Sequence, residues 1–302
     1  MLTALKYAFA VLVWPGLVGA GALGLLYLWI ARKLMARLQG RKGPPFYQPF
    51  FDLIKLVGKD TVIPKGVSPT LFYALPFFSL ASTVLGLVIV PVPGSGAASF
   101  PGDLVLLLYL LEVPVLCDVM AGYVSRSIYG QVSAMREAVM SLGYNLPFLA
   151  AAIAMAQSAG SFHIGALQSA AFGPVTAFAA MAFLLALPAR LKSNPFSIPN
   201  AEHEIVGGAH IEYNGVPLAI FELAHALEIV LLFDVFYVLF VPRLGNPMAE
   251  TAIYLGVSFA LIALATMTAA LTARFTVKSA LRFYWFWGGL AAAAAMVIAV
   301  VG

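Results

Sequence analysis

Apolar runs about as long as a bilayer core is thick dominate this sequence. A helix needs about 20 mostly apolar residues to cross that core. The chain offers eight such stretches: 8–31, 70–92, 104–123, 138–157, 170–187, 218–241, 252–271 and 282–301. Since only 10% of the residues are charged and the mean hydropathy is +0.95, we predict an all-α polytopic membrane protein. It should form one integral domain over residues 1–302, with about eight transmembrane helices and a short amphipathic interfacial helix, in the cytoplasmic membrane of the cell.

The basic residues predict the orientation of these helices. Eight spans put both termini on one side of the membrane and the connections after spans one, three, five and seven on the other. Of the 17 Lys and Arg residues, only Lys6 and Arg243 fall on the side of the termini. The other connections hold Arg32, Lys33, Arg37, Arg41, Lys42, Lys55, Lys59, Lys65, Arg126, Arg136, Arg190, Lys192, Arg274, Lys278 and Arg282. Because cytoplasmic loops are enriched in Lys and Arg, we predict that these connections are cytoplasmic and that both termini are extracytoplasmic.

The first cytoplasmic connection predicts a helix at 47–59 that lies on the membrane surface. Gly43, Pro44 and Pro45 force a turn, and Pro49 suits the first turn of a helix. A polar stripe recurs along this helix at spacings of four, three and four residues: Gln48, Asp52, Lys55 and Lys59. The rest of its surface is apolar, so we expect the stripe to face protein or water. A generic interfacial helix has the same pattern.

Charged side chains inside the predicted spans mark candidate functional positions. Span three carries Glu112 and Asp118, with Pro114 between them. Span six carries a denser set: Glu222, His225, Glu228 and Asp234. At 100° per residue the first three of this set share one face, whereas Asp234 points elsewhere. A charge at mid-bilayer costs about 2.5 to 3.5 kcal/mol on insertion scales, so the repetition favours a proton relay over acids buried only for packing.

The connection at about 190–217 is the most polar stretch of the chain. It holds three acids and two histidines between apolar spans: Glu202, Glu204, Glu212, His203 and His210. Polar groups this dense at a membrane boundary favour proton handling or partner contact over a solvated connector. A zinc site built on the two histidines is a further alternative, although their spacing matches no common zinc motif.

Three motifs, in order along the chain, resemble one family of membrane proteins. They are R-K-G-P-P-F-Y-Q-P-F-F-D from Arg41, the loop G-Q-V-S-A-M-R-E-A-V-M-S-L-G-Y-N from Gly130, and N-P-F-S-I-P-N-A-E-H-E-I-V-G-G-A-H-I-E-Y-N-G from Asn194. Nearly the whole chain resembles the eight-helix membrane subunit that docks the peripheral arm in respiratory complex I and in membrane-bound nickel-iron hydrogenases.

Shorter features distinguish the two branches of that family. The turn from Gly43 to Gln48, the run G-D-L-V-L-L-L-Y-L from Gly102, and S-A-M-R-E-A from Ser133 are more similar to the energy-converting hydrogenase branch than to the quinone-reducing one. The resemblance implies a membrane subunit of a complex I-like redox complex, either a membrane-bound hydrogenase or a related sulfane-sulfur reductase. Such a subunit docks the electron-transfer arm and couples it to proton or ion translocation.

The same resemblance implies roles for individual residues. The docking contact with the peripheral arm is expected to include Arg41, Gly43, Pro44, Gln48, Asp52, Lys55 and Arg136. The polar entrance to a lateral proton path is expected to be lined by Arg136, Glu137, Glu202, Glu204 and Glu212. The intramembrane groups extend this path on the residue pattern alone: Glu112, Asp118, Glu222, His225, Glu228 and Asp234.

The chain departs from the family pattern at several positions. Ser197 stands where an Asp usually follows P-F, and Asn200 stands where an acid usually precedes Ala201. Asn145 replaces an acid of the quinone branch, and the segment 125–127 lacks an acid common in hydrogenase relatives. The terminal electron acceptor therefore stays open between protons, sulfane sulfur and a quinone, as does the choice between protons and sodium ions.

Redox cofactors are expected in partner subunits. Cys117 is the only cysteine, so this chain offers neither a disulfide framework nor a cysteine-ligated cluster, and it has no dinucleotide or phosphate-binding signature. We expect no metal and no redox centre here. The expected partners are peripheral iron-sulfur subunits, a hydrogenase-like large subunit that carries a nickel-iron centre in the hydrogenase case, antiporter-like and small membrane subunits, and the bilayer. Nucleic acid is not expected.

Functions of other classes fit parts of the pattern. A proton-coupled secondary transporter would also hold intramembrane acids, but the chain shows no internal repeat that pairs interrupted helices. A subunit of a quinone-reducing complex I is a closer alternative. A purely structural anchor would tolerate Glu-to-Gln changes in span six.

Overall fold

Helices account for all regular secondary structure in the part of the chain that the computed structural model describes. It describes residues 8–93, 98, 100–168 and 173–301, with Glu202 described by its backbone alone. The helices are α1 Leu17–Leu38, α2 Gln48–Val57, α3 Pro69–Ile89, α4 Asp103–Val124, α5 Ile128–Ala159, α6 Ile164–Leu167, α7 Pro174–Arg190, α8 Glu202–Ile205, α9 Gly215–Phe240, α10 Pro247–Leu271, α11 Val277–Phe283 and α12 Gly289–Val301. A helical stretch at 8–12 precedes α1, and a π-helical turn, Tyr284–Gly288, joins α11 to α12.

Seven helical segments within the described ranges are long and apolar enough to cross a bilayer: Ala8–Leu38, Pro69–Ile89, Asp103–Val124, Ile128–Ala159, Gly215–Phe240, Pro247–Leu271 and Val277–Val301. The predicted fifth span is α7, which has 17 described residues. At 1.5 Å per residue these cover about 26 Å, slightly less than the bilayer core, and the predicted start of this span at 170 lies outside the described residues. The prediction of an all-α polytopic membrane protein is confirmed.

Several predicted boundaries are wrong because helices continue past the apolar runs. α5 begins at Ile128, ten residues before the predicted span, so the motif expected to be a loop from Gly130 is helical. α1 continues to Leu38, which places Arg32 and Lys33 on the helix rather than in a connection. Long basic side chains allow this, since their charged ends reach water while the helix extends. The last span likewise begins at Val277.

α9 lies at the centre of the helix bundle. Most of its length is buried, as expected for a helix that is apolar all round, and it packs against α1, α2, α3 and α10. At Gly24 of α1 an added Cβ would lie 2.2 Å from the carbonyl oxygen of Ala226, so glycine allows α1 to approach α9 closely. The charged groups of α9 are therefore held among helices on several sides.

The connection between α7 and α9 folds back against the bundle. Ser133 Oγ on α5 donates to the carbonyl of Pro199 at 2.7 Å, and the buried ring of Phe196 lies 4.6 Å from the ring of Tyr284. Near the start of α9, the ring of Tyr213 stacks on Phe72 at 4.1 Å. This stretch therefore brings its polar side chains up to α4, α5 and α9.

Candidate functional site

Arg190, at the end of α7, is buried in the interior and holds Glu112 of α4. Its side chain is fully buried, and its guanidinium forms an ion pair with the Glu112 carboxylate. It also donates to Asn145 Oδ1 at 2.8 Å and to the carbonyl of Leu111 at 3.0 Å, and it lies 4.4 Å from the Phe148 ring centroid. Asn145 Nδ2 in turn donates to Glu112 Oε2 at 2.7 Å. Asn145 therefore forms hydrogen bonds with both partners of this ion pair.

Lys192 makes the second pair, with Asp118 two turns further along α4. The ammonium contacts Asp118 directly, and His210 Nε2 lies 3.0 Å from the other carboxyl oxygen. Burial by itself lowers the pKa of Lys192, but the negative charges of Asp118, Glu137 and Glu228 outweigh it and raise that pKa above its ordinary value. Lys192 therefore stays charged and faces three acids.

Glu137 and Glu228 are buried acids near Lys192 that have no Lys or Arg in direct contact in the described part of the chain. Glu137 on α5 is 4% exposed and accepts a hydrogen bond from the Tyr144 hydroxyl at 3.0 Å. Glu228 on α9 is 3% exposed. Its Oε2 lies 3.8 Å from His225 Nδ1, too far for a hydrogen bond, and neither its Oε1 nor that His225 nitrogen has a hydrogen-bond partner.

Two polar cavities lie between Glu228 and the connection that joins α7 to α9. An inner cavity of about 70 Å³ has Asp118, Lys192 and Glu228 in its wall, and an outer vestibule of about 420 Å³ runs along the segment 206–213. Three residues line both cavities: Asn200, His210 and Glu222. A water molecule needs about 10–15 Å³ of such space, so both cavities have room for several waters.

Glu204 and Glu212, two further acids of the connection, do not line the inner cavity. Arg136 Nη1 on α5 donates to Glu204 Oε2 at 2.6 Å, and this hydrogen bond lowers the pKa of the exposed Glu204 carboxyl. Glu212 is half-buried and is absent from the inner cavity wall. The backbone of Glu202 begins α8, but its side chain lies outside the described part of the structure.

The comparisons with known proteins agree on one family. The family model described as NADH dehydrogenase matches residues 11–300. A subunit of the NADH-quinone oxidoreductase of Methylococcus capsulatus is 31% identical over 215 residues, which cover 68% of each chain. The corresponding subunit of Caulobacter vibrioides is 31% identical over 244 residues, covering 72% of this chain and 68% of the relative.

A solved structure matches almost the whole fold. It is a chain of the membrane-bound sulfane sulfur reductase, an archaeal respiratory membrane complex, with a TM-score of 0.88, 29% identity, and coverage of 97% of this chain and 99% of that one. The chain belongs to the NADH dehydrogenase family. It is a multi-pass membrane subunit of a complex I-like respiratory complex, and the resemblance read from the motifs is confirmed.

In this family member, the stripe predicted on the interfacial helix is partly engaged within the chain itself. Asp52 pairs with Arg32 of α1 at 3.1 Å and accepts a hydrogen bond from Gln48 Nε2 at 2.8 Å. Lys55 is exposed. Lys59 lies beyond the end of α2 at Val57, so it is not part of the predicted helical stripe.

The turn before that helix is fastened to α1. Trp29 Nε1 donates to the carbonyl of Pro44 at 3.1 Å, and Lys33 Nζ donates to the carbonyl of Gly43 at 3.3 Å. Arg41 is exposed and contacts the side chain of Gln39. These hydrogen bonds hold the turn against α1, and the exposed Arg41 gives the surface beside α2 a positive charge.

The zinc alternative finds no support in this geometry. His203 is exposed, whereas His210 pairs with Asp118 and stacks on Phe221 at 4.2 Å. Across the ranges given above, no three His, Cys, Asp or Glu side chains group as metal ligands.

Sequence reasoning missed the two cations at the centre of the site. Arg190 and Lys192 were predicted to lie in a cytoplasmic connection and to report only orientation, but both side chains are buried against α4. A usable signal was present in the sequence. Two cations two residues apart, directly after an apolar span, equal in number and are opposite in charge to the two acids of the predicted span three.

Proposed function

We propose that this subunit docks the peripheral electron-transfer arm of its complex on the cytoplasmic face and couples electron transfer to proton movement through its buried acids. The observation that carries the proposal is the charge balance around the inner cavity. Arg190 balances Glu112 and Lys192 balances Asp118. Glu137 and Glu228 are left as two further buried acids without a cation of their own.

This balance divides the acids into fixed and exchangeable groups. An ionised carboxylate held by a buried cation gains little from taking a proton, because its partner would then be an unpaired buried charge. Glu137 and Glu228 cannot both be ionised beside an already ionised Asp118, since like charges at a shared site disfavour each other. At least one of the two holds a proton, and this is the property that a relay needs.

The cavities supply a route to these exchangeable acids. A proton entering the vestibule from the cytoplasmic side reaches Glu222 and His210, which line both cavities, and then the wall that holds Glu228. Glu204 and Glu212 lie on the same connection but line neither cavity, and we assign them to the rim of this entrance on family resemblance. We place Glu202 there on family resemblance alone.

The docking surface is α2 with the turn before it, together with Arg136. Phe51 and Ile54 on α2 are 50% and 63% exposed, and the exposed Arg41 and Lys55 lie on the same connection. The peripheral partner carries the iron-sulfur clusters, and antiporter-like membrane subunits receive the lateral proton signal. The structural neighbour favours a sulfane-sulfur or hydrogenase-type acceptor, whereas the curated relatives at 31% identity keep a quinone-reducing complex as the second candidate.

The coupling is tested by substituting Gln for Glu137, Glu204, Glu212 and Glu228, one at a time, in the assembled complex. Electron transfer and ion uptake are measured separately in reconstituted vesicles. We expect Glu137→Gln and Glu228→Gln to lower the number of ions moved per electron more than the two rim variants do. Asp60→Asn, which changes an exposed carboxylate, is the matched control. If all four variants assemble and keep the wild-type ratio, the chain is a structural anchor.

Docking is tested by charge reversal on α2. Asp52→Lys and Lys55→Glu should release the peripheral arm at lower salt than the wild type, because interface charges desolvated by a partner are costly to break. Lys65→Glu, on the same predicted membrane side, should not. An arm that stays bound at high salt in both α2 variants places the contact elsewhere.

A further inference from the structure

Asp234 lies on α9 but takes no part in the charged cluster described above. It is six residues beyond Glu228, about 9 Å further along the helix axis, and it does not line either polar cavity. The residue is 1% exposed. Its Oδ1 accepts a hydrogen bond from the Tyr254 hydroxyl of α10 at 2.7 Å.

The surroundings of Asp234 are hydroxyl groups rather than cations. No Lys, Arg or His side chain of the described chain forms an ion pair with it. The buried hydroxyl of Tyr27 on α1 lies close by, and the hydroxyl of Ser258 on α10 lies near that of Tyr27. Tyr27 and Tyr254 are near enough for their hydroxyls to interact with Asp234 electrostatically. Three helices therefore meet at one carboxyl group.

An ionised carboxylate in this place would be expensive. Removing a charge from water costs several kcal/mol even after the protein relaxes, and one neutral hydroxyl donor recovers only part of that. A metal ion fits poorly, because the carboxyl group and the hydroxyls of Tyr254 and Tyr27 offer fewer oxygens than the six or more that hard divalent cations take. A proton is the compensating charge that the site can hold.

We propose that Asp234 binds one exchangeable proton as a neutral carboxylic acid, at a site separate from the acids of the inner cavity. On release, the O–H bond of the acid breaks, the proton passes to a water molecule, and the electron pair stays on the carboxylate. The buried Tyr27 hydroxyl, which lies close to Asp234, is then a second group able to turn and donate to that carboxylate. The site goes beyond the proposed function and does not rest on it.

Infrared spectroscopy of the assembled complex in membranes tests this site directly. The wild type should show a protonated-carboxyl C=O band that shifts after turnover in D₂O and is lost in Asp234→Asn. Asn keeps an oxygen that accepts the Tyr254 hydrogen bond, so this variant should assemble. Tyr254→Phe should keep the band and move it to higher frequency, because the carbonyl loses its hydrogen bond. Asp60→Asn should leave the band unchanged.

The outcomes separate the proposal from its rivals. A spectrum in which Asp234→Asn removes no protonated-carboxyl band shows that the residue is ionised and overturns the assignment. A band that appears only when sodium ions are absent shows that the site binds a metal cation, which also overturns it. A band that does not shift in D₂O after turnover shows a proton that is locked in place, contrary to exchange. These readouts do not depend on whether Glu137 or Glu228 carries the coupling.

Discussion

Glu112 and Asp234 are both carboxyl groups on central helices, but the fold treats them in opposite ways. Glu112 meets a fully buried guanidinium that also binds Asn145, whereas Asp234 meets the hydroxyl of Tyr254. The first group has a cation beside it as a direct ion-pair partner. The second is best accommodated as a neutral acid. The difference shows that burial alone does not identify a proton-exchanging acid, since the partner decides which state is stable.

The largest expected effect on stability comes from removing Arg190, the cation that pairs with Glu112. Arg190→Met leaves Glu112, whose side chain is 24% exposed, without its cation, and breaking a buried pair typically costs about 3–5 kcal/mol, which is the upper bound here. We expect a marked fall in the thermal midpoint and in the yield of assembled complex.

The double variant Arg190→Met with Glu112→Leu removes both charges and should recover most of that loss, because replacing a buried ion pair with apolar groups is often neutral. Lys278→Met, at an exposed basic residue, should have little effect. If the single variant is as stable as the wild type, the buried pair is not a structural element.

Lys192→Met should be less damaging than Arg190→Met. Asp118 would keep His210 at 3.0 Å as a second partner, whereas Glu112 has only the neutral Asn145. Thermal midpoints of the two single variants check the comparison, and the double variant Lys192→Met with His210→Leu should lose more than Lys192→Met alone. Equal losses in Lys192→Met and Arg190→Met would contradict the role given to His210.

Removing the carboxyl group of Asp234 should have an intermediate effect on stability. Asp234→Leu leaves the Tyr254 hydroxyl buried without its acceptor, at a cost of about 1–3 kcal/mol. The double variant with Tyr254→Phe should regain most of this, because both polar partners are then absent. Unfolding of the purified complex in denaturant provides the measurement. A loss as large as that of Arg190→Met would mean that Asp234 carries a charge.

The smallest effect is expected at the exposed rim. The hydrogen bond from Arg136 lowers the pKa of Glu204 in the folded protein, so its contribution to stability is present above the ordinary Glu pKa of about 4.3 and fades as the pH falls through the lowered value. Glu204→Gln should therefore differ slightly from the wild type at neutral pH and converge with it in acid. Salt should reduce the difference further, since exposed pairs are screened. A difference that grows in acid would have the wrong sign.

Several features of the fold could be predicted from local sequence. Apolar runs located the membrane helices, because crossing a bilayer needs a fixed length of apolar chain. The 100° periodicity placed Glu222 and Glu228 on one face of a helix, and both line the inner cavity. The helix boundaries at Leu38 and Ile128 could not be located from the sequence, since polar residues continue a helix as readily as they end one.

By itself the sequence determined the class of protein, the positions of its spans and its family, because hydropathy and motifs depend on neighbouring residues. Only the tertiary structure decided which acids carry a fixed charge. Arg190 meets Glu112 across 78 residues of sequence, and Lys192 meets Asp118 across 74. These partners come together because the connection after α7 folds back against α4 and α5. The same two cations in an exposed loop would have left both acids unpaired. Their number and their place after an apolar span hint at the pairing, but only the fold shows which acid each cation meets.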